Sequence, residues 1–229
     1  MPFSQSKIFF AVKSQCQRKR RARVWSNNEL KKFASFFSGK IINVSGWKDE
    51  DKQGGLYQDY FAKTKEYFVS NIKGDKGLSG LENEIYLDLE KPLAQELQKN
   101  FDAVFCHTTL EHIFHINTAF DNLCLLSKDI VILVVPFLQE QHWTQSYGDY
   151  WRFTPQNIVR NFKDRGFQVL YLSKTPYNNN PVYLFAIVAR DFAKWQDRFS
   201  PLEITDGVID DFAKPKWYCS FIQKIYAKR

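Results

Sequence analysis

Cysteine is scarce in this chain: there are four, at positions 16, 106, 124 and 219, with no Cys-x-x-Cys pair and no metal-site spacing. A disulfide framework and a zinc ribbon are thereby excluded, and the thiols read as buried core residues in a reducing compartment. Also missing is any apolar run near the roughly 20 residues that cross a bilayer. The apolar stretch at residues 8–12 is too short and too poorly flanked for a secretory signal. These absences predict a soluble, cytoplasmic protein without a transmembrane segment. No internal repeat or low-complexity segment occurs, which leaves an ordinary globular domain.

The chain has 229 residues, 44% of them hydrophobic, enough for one sizeable core. Its net charge of +7 suggests nucleic acid, but the distribution argues against a basic body. Residues 1–32 hold nine Lys or Arg against Glu29 alone, and the remainder carries 23 basic and 24 acidic residues. The excess belongs to an N-terminal arm, residues 1–26, centred on Arg18-Lys-Arg-Arg-Ala-Arg23. Such a run contacts phosphates or anionic head groups, or is simply a solvated leader. An organelle transit peptide is disfavoured by the low Ser content.

Asn27 and Asn28 are placed to cap a helix in which Leu30, Phe33, Ala34 and Phe37 share a stripe ended by Gly39. A first strand over residues 40–44 follows, then a polar loop containing Gly54-Gly55, where backbone amides can approach a ligand. Strands are predicted over 66–72 and 84–88, and Pro92 opens a helix carrying Leu93 and Leu97. Residues 101–137 form the organising unit. A short strand over 103–106 breaks into polar residues, Ile116, Phe120, Leu123 and Cys124 recur at helical spacing, and 130–135 is an unbroken aliphatic strand. Ligands of such sheets bind beyond the carboxyl ends of the strands, here residues 107–112 and from Pro136 onward. Thr154-Pro155 caps another helix with Ile158, Val159 and Phe162 on one face. Two last strands, over 168–172 and 182–188, are joined without a helix and are therefore antiparallel. The fold class is α/β: a Rossmann-like doubly wound sheet, mostly parallel, with an antiparallel C-terminal hairpin. Residues 27–190 form the domain, and 191–229 an extension with helices expected over 204–212 and 217–225.

Parallel units ending in a hairpin, the stretch Phe101-Asp-Ala-Val-Phe-Cys-His-Thr-Thr-Leu-Glu-His-Ile113, and Asp149-Tyr-Trp-Arg-Phe-Thr-Pro155 after Pro136-Phe137 together resemble the class I S-adenosylmethionine-dependent methyltransferases. Within them the closest likeness is to the type 11 methyltransferase domains, over residues 38–190. The resemblance implies S-adenosylmethionine as cofactor. Asn43, Ser45, Gly46 and Trp47 would then face its methionine part, and Asn71 would stand at its ribose. Asp88 and Leu89 would sit beside its adenine, with Cys106, His107 and Thr108 along its other side. Two positions depart from the family pattern. The acid and triple glycine after the first strand are replaced by Asn43-Val-Ser-Gly-Trp-Lys-Asp49, and the ribose acid by Asn71. An amide lacks the charge-assisted grip of a carboxylate, so cofactor binding is weak or lost in the alternative reading, a scaffold or binding protein that has kept the fold.

Methyl transfer to a hydroxyl needs alignment and removal of one proton, and histidine is the natural base near neutral pH. His142 is the first candidate because it opens the loop over the acceptor, and His112 is the second; both also read as residues that shape the site. Asp149, Tyr150, Trp151 and Arg152 are either a platform for a small-molecule or glycan acceptor or a packing cluster with Arg152 paired to Asp149. His107, Glu111, His112, His142 and Asp149 are metal-ligating types, but no local motif has ligand spacing, and no metal is assigned. A nucleic-acid methyltransferase rests on the basic arm alone, since Cys106-His-Thr-Thr109 stands where an Asn-Pro-Pro-Tyr motif would.

Overall fold

The aliphatic run at 130–135 lies at the middle of the sheet, where its alternating side chains face two different cores. Ile130, Ile132 and Val134 pack on one side, and Val131, Leu133 and Val135 on the other, all at most 1% exposed. A strand read as covered on both faces is covered on both faces.

The computed structural model describes residues 5–74, 77–176 and 181–199. Seven strands run β1 (Gly39–Val44), β2 (Thr64–Asn71), β3 (Glu84–Tyr86), β4 (Phe101–His107), β5 (Ser127–Pro136), β6 (Gln168–Lys174) and β7 (Tyr183–Ala189). Their order in the sheet is β3-β2-β1-β4-β5-β7-β6. The first five pair in parallel, while β7 is antiparallel to both β5 and β6. One face carries α1 (Gln5–Phe33); the other carries α2 (Ile116–Leu126) and α3 (Pro155–Lys163). A short α4 (Phe192–Trp195) follows β7. Thr154 caps α3 by accepting from Asn157 N at 3.1 Å, with Pro155 in its first turn.

Two expectations are corrected. The helix expected to start at Asn27 is the last part of α1, which runs unbroken through the basic segment. Asn27 does not cap it, because its amide turns inward to Asp51 O (2.9 Å) and Gln53 Oε1 (2.8 Å). The helix expected from Pro92 is a loop with one 3-10 turn at Gln95–Leu97, and the β1–β2 connection likewise holds only a 3-10 turn at Tyr57–Tyr60. Leu93 is buried without a helix to carry it. The helices expected over 204–212 and 217–225 lie outside the described residues. Among the described residues, no helix is long and apolar enough to cross a membrane.

Gly39, the first residue of β1, is glycine for a steric reason: its φ is +88° and a Cβ there would collide with Asp102. The Asp102 carboxylate lies in that space because it accepts from Lys40 N at 2.8 Å.

Candidate functional site

A cleft of about 850 Å³ opens beyond the carboxyl ends of β1, β2, β4 and β5. Of the residues singled out in the sequence, Asn43, Ser45, Gly46, Trp47, Asn71, Asp88, Leu89, His107, Thr108, His112, His142 and Tyr150 reach it. Cys106, Asp149, Trp151 and Arg152 do not. Cys106 points to the α2 face of β4, where it is fully buried and its thiol is pushed up to about 12 by burial. Trp151 donates its indole N–H to Ile113 O at 2.7 Å, and Arg152 binds both oxygens of Asp149 (2.5 and 2.7 Å) and Gln139 O (2.7 Å). These residues fasten the loop, as the packing alternative anticipated.

The loop after β1 is built around two carboxylates that the sequence reading passed over. Asp49, buried, accepts from Asn43 Nδ2 (2.7 Å), Tyr67 OH (2.8 Å) and Gln58 N (2.8 Å). Its pKa is held above the usual carboxylate range by desolvation, partly offset by these donors. Asp51 accepts from Tyr60 OH (2.6 Å), Gln53 N (2.6 Å) and Gly55 N (2.9 Å). Gly54-Gly55 therefore serves a turn around Asp51 and does not line the cleft. Gly46 does, and a Cβ on it would stand 2.6 Å from Asn43 Nδ2. On either side of it Ser45 (φ +56°) and Trp47 (φ +49°) adopt the left-handed conformation. The amides here are already engaged: Ser45 N donates to Ser70 Oγ (3.3 Å), Gly46 N to Ser70 O (3.2 Å) and Trp47 N to Asn71 Oδ1 (2.8 Å). Asn71 gives its own two N–H groups to Trp47 O (3.0 Å) and Glu84 Oε1 (2.6 Å).

One wall of the cleft comes from α1. Ala22, Ser26 and Leu30 form its buried stripe, and Arg23 beside them enters the cleft. The Arg23 guanidinium donates to His107 Nδ1 (2.8 Å), Thr108 Oγ1 (3.1 Å) and Tyr57 OH (3.2 Å). A guanidinium only donates, so Nδ1 of His107 is the acceptor and Nε2 carries the proton. Ser26 Oγ, 2.8 Å from Nε2, accepts that proton and passes its own to Arg23 O at 2.9 Å. Burial first, and then the Arg23 charge, hold His107 well below its usual pKa, so it is a neutral structural residue. Among the described residues no carboxylate pairs with Arg23. The sequence did contain a signal for this wall: small residues at 22 and 26 continue the stripe of Leu30 back through the basic run.

At the other end stand His112, His142, Tyr147 and Tyr150. His112 Nδ1 lies 2.5 Å from Gly148 O, a contact that needs an N–H donor, so Nε2 holds the lone pair. His142 Nδ1 is 3.3 Å from Asp149 Oδ2 and 3.2 Å from Gln139 Nε2, and its backbone N–H donates to Asp149 at 2.6 Å. Burial outweighs the Asp149 charge and lowers the His142 pKa, which keeps the ring neutral. Behind them Glu111 is fully buried, with no hydrogen-bond partner on either carboxylate oxygen among the described residues, and burial pushes its pKa up to about 8.

No family model matches the chain, and no curated protein matches its sequence. Solved structures do. A chain of the Haloferax volcanii complex between the Trm112 methyltransferase activator and a methyltransferase matches with TM-score 0.53 at 10% identity, covering 83% of this chain and 99% of that one. The [4+2]-cyclase SpnF matches with TM-score 0.52 at 9% identity, over 71% of this chain and 80% of that one. A protein from Listeria monocytogenes, assigned as an S-adenosylmethionine-dependent methyltransferase, matches with TM-score 0.50 at 12% identity, over 72% and 97%. The chain has the class I methyltransferase fold: a seven-stranded, mostly parallel sheet closed by an antiparallel hairpin.

Proposed function

We propose that this chain is an S-adenosylmethionine-dependent methyltransferase that O-methylates a hydroxyl of a small-molecule or glycan-type acceptor in the cytoplasm. The observation that carries this reading is one cleft with two chemically different ends. Ser45, Gly46, Trp47, Asp88 and Leu89 bound the first, and His112, His142, Tyr147 and Tyr150 the second. A group-transfer reaction needs both a cofactor side and an acceptor side, and the volume is adequate for two small molecules.

The residues fit the cofactor. Arg23, a cation without a carboxylate partner among the described residues, suits its carboxylate, with Asn71 at its ribose and Asp88 and Leu89 beside its adenine. When bound, the cofactor supplies a methyl group activated on a sulfonium. The chain's work is to align the acceptor oxygen and receive its proton. His142, neutral and backed by Asp149, is placed to take that proton and to be stabilised as imidazolium, with His112 beside it.

A second reading, a binding or scaffold protein that retains the fold, is favoured by the engaged loop amides and by Asn71, whose donors are committed within the protein. A fold shared with a [4+2]-cyclase is itself no warrant for transfer. A nucleic-acid acceptor is disfavoured, because Arg23 turns into the cleft and Lys19 and Arg20 alone of the basic run's other residues reach its lining. Isothermal titration of the full chain with S-adenosylmethionine and S-adenosylhomocysteine decides between the readings. Micromolar binding of both supports the enzyme; no heat at millimolar ligand overturns it in favour of the scaffold.

A further inference from the structure

We propose that Glu111, His112 and His142 form a binding site for one divalent first-row transition-metal ion at the acceptor end of the cleft. Glu111 and His112 come from one 3-10 turn after β4 and His142 from the loop after β5, and each offers a ligand atom within 4.8 Å of the others. Glu111 Oε1 is already 3.7 Å from His112 Nε2. An ion with bonds of about 2.1 Å in tetrahedral geometry sets its ligands about 3.4 Å apart, so closing the site takes side-chain shifts of about an ångström.

Independent of this proximity, Glu111 is fully buried and neither of its oxygens has a hydrogen-bond partner. A buried carboxylate without donors is costly unless a cation meets it. Gln139, whose amide touches His142, likewise leaves Oε1 unpartnered. The histidines are held in the manner of metal ligands. Nδ1 of His112 is engaged by Gly148 O, which leaves its Nε2 lone pair for an ion, and the His142 ring is held through Nδ1 between Gln139 Nε2 and Asp149 Oδ2. Arg152, whose charge would repel an ion, is neutralised by both oxygens of Asp149.

Two imidazoles and one carboxylate suit zinc, iron, manganese or cobalt, and three protein ligands leave a position open. Glu111 lies behind the wall while His112 and His142 are part of it, so the open position faces the cleft. A hydroxyl bound there would be acidified by coordination and would release its proton to water in the open cleft, so that His142, as a ligand, would no longer be needed as the base. The site rests on its own observations, so its failure leaves the methyl-transfer reading standing, and failure of cofactor binding leaves the site standing.

The test is titration of the chelator-stripped full chain with Co(II), followed by visible absorption, with Zn(II) as competitor and the melting temperature as second readout. One equivalent of Co(II), displaced by Zn(II) and raising the melting temperature, is expected. Glu111→Gln, of the same shape, and His142→Asn should each weaken Co(II) binding at least tenfold, and His115→Ala, outside the cluster, should not. Absence of Co(II) bands at millimolar metal overturns the site. So does equal binding by the wild type and a folded Glu111→Gln, or a loss in His115→Ala as large as in His142→Asn.

Discussion

The two loops that bound the cleft are opposite in how they use their polar groups. After β1, Asp49, Asp51 and Asn71 are saturated by neighbours, and three consecutive amides are tied to the end of β2. At the other end, Glu111 and Gln139 keep buried oxygens without partners, and Tyr150 and Trp143 stand 51% and 67% exposed. A saturated loop holds its shape before any ligand arrives; an unsaturated one has polar groups left for what binds.

The sharpest way to break this contrast is Asp49→Ala, which strands two buried donors, Asn43 and Tyr67, and the part-buried Gln58 N. Urea denaturation should show a loss of about 4 kcal/mol; less than about 1 kcal/mol would make the loops alike. Next comes Asn71→Asp, the acid that the family resemblance leads one to expect. It would place a carboxylate against Glu84, whose oxygen lies 2.6 Å from the Asn71 amide, and remove a donor to Trp47 O. A loss of about 3 kcal/mol is expected, and unchanged stability would show the anchor to be dispensable.

A smaller effect follows from pH. His107 is held neutral in the folded state, well below the value of 6.5 at which it protonates when unfolded. The stability it contributes is whole above that value and is lost as pH falls toward the folded-state pKa. Between pH 6.5 and 5 the wild type should lose stability through this residue, by at most about 1.6 kcal/mol. The loss should be absent in His107→Gln, and an identical pH slope in both proteins would refute the neutral assignment. Least affected should be Tyr150→Ala, in the unsaturated loop: stability changes by under about 0.5 kcal/mol, with its consequence confined to acceptor binding.

The sheet was legible because each strand carries its own pattern, whether the apolar runs of β5 and β7 or the alternation of β6. The Pro92 helix was not. Leu93 and Leu97 have helical spacing, but fourteen residues between Tyr86 and Phe101 bury Leu93 with a loop instead. The start of α1 was misplaced because Asn27 is a good cap by type, while its real work is a tertiary bond to the loop. In the site, His112, His142 and Tyr150 announced themselves by lying just past strand ends. Arg23 was hidden among basic neighbours, since a charged run looks alike whether it faces water or a cleft. Glu111 was legible only as one of five residues of metal-ligating type; its lack of a hydrogen-bond partner among the described residues is a property of three dimensions.

The seating of α1 has a consequence for the order in which the chain is made. Glu29 bonds Tyr171 across 142 residues of sequence, and α1 precedes every strand on which it packs. During synthesis this helix is made before every strand it packs on and must wait for β6 and β7, while the sheet face it will cover stays bare. Loop closure over that span is slow compared with pairing of β4 and β5. The wall of the cleft that Arg23 and Ser26 supply is therefore seated only after the sheet that carries His107 has been built.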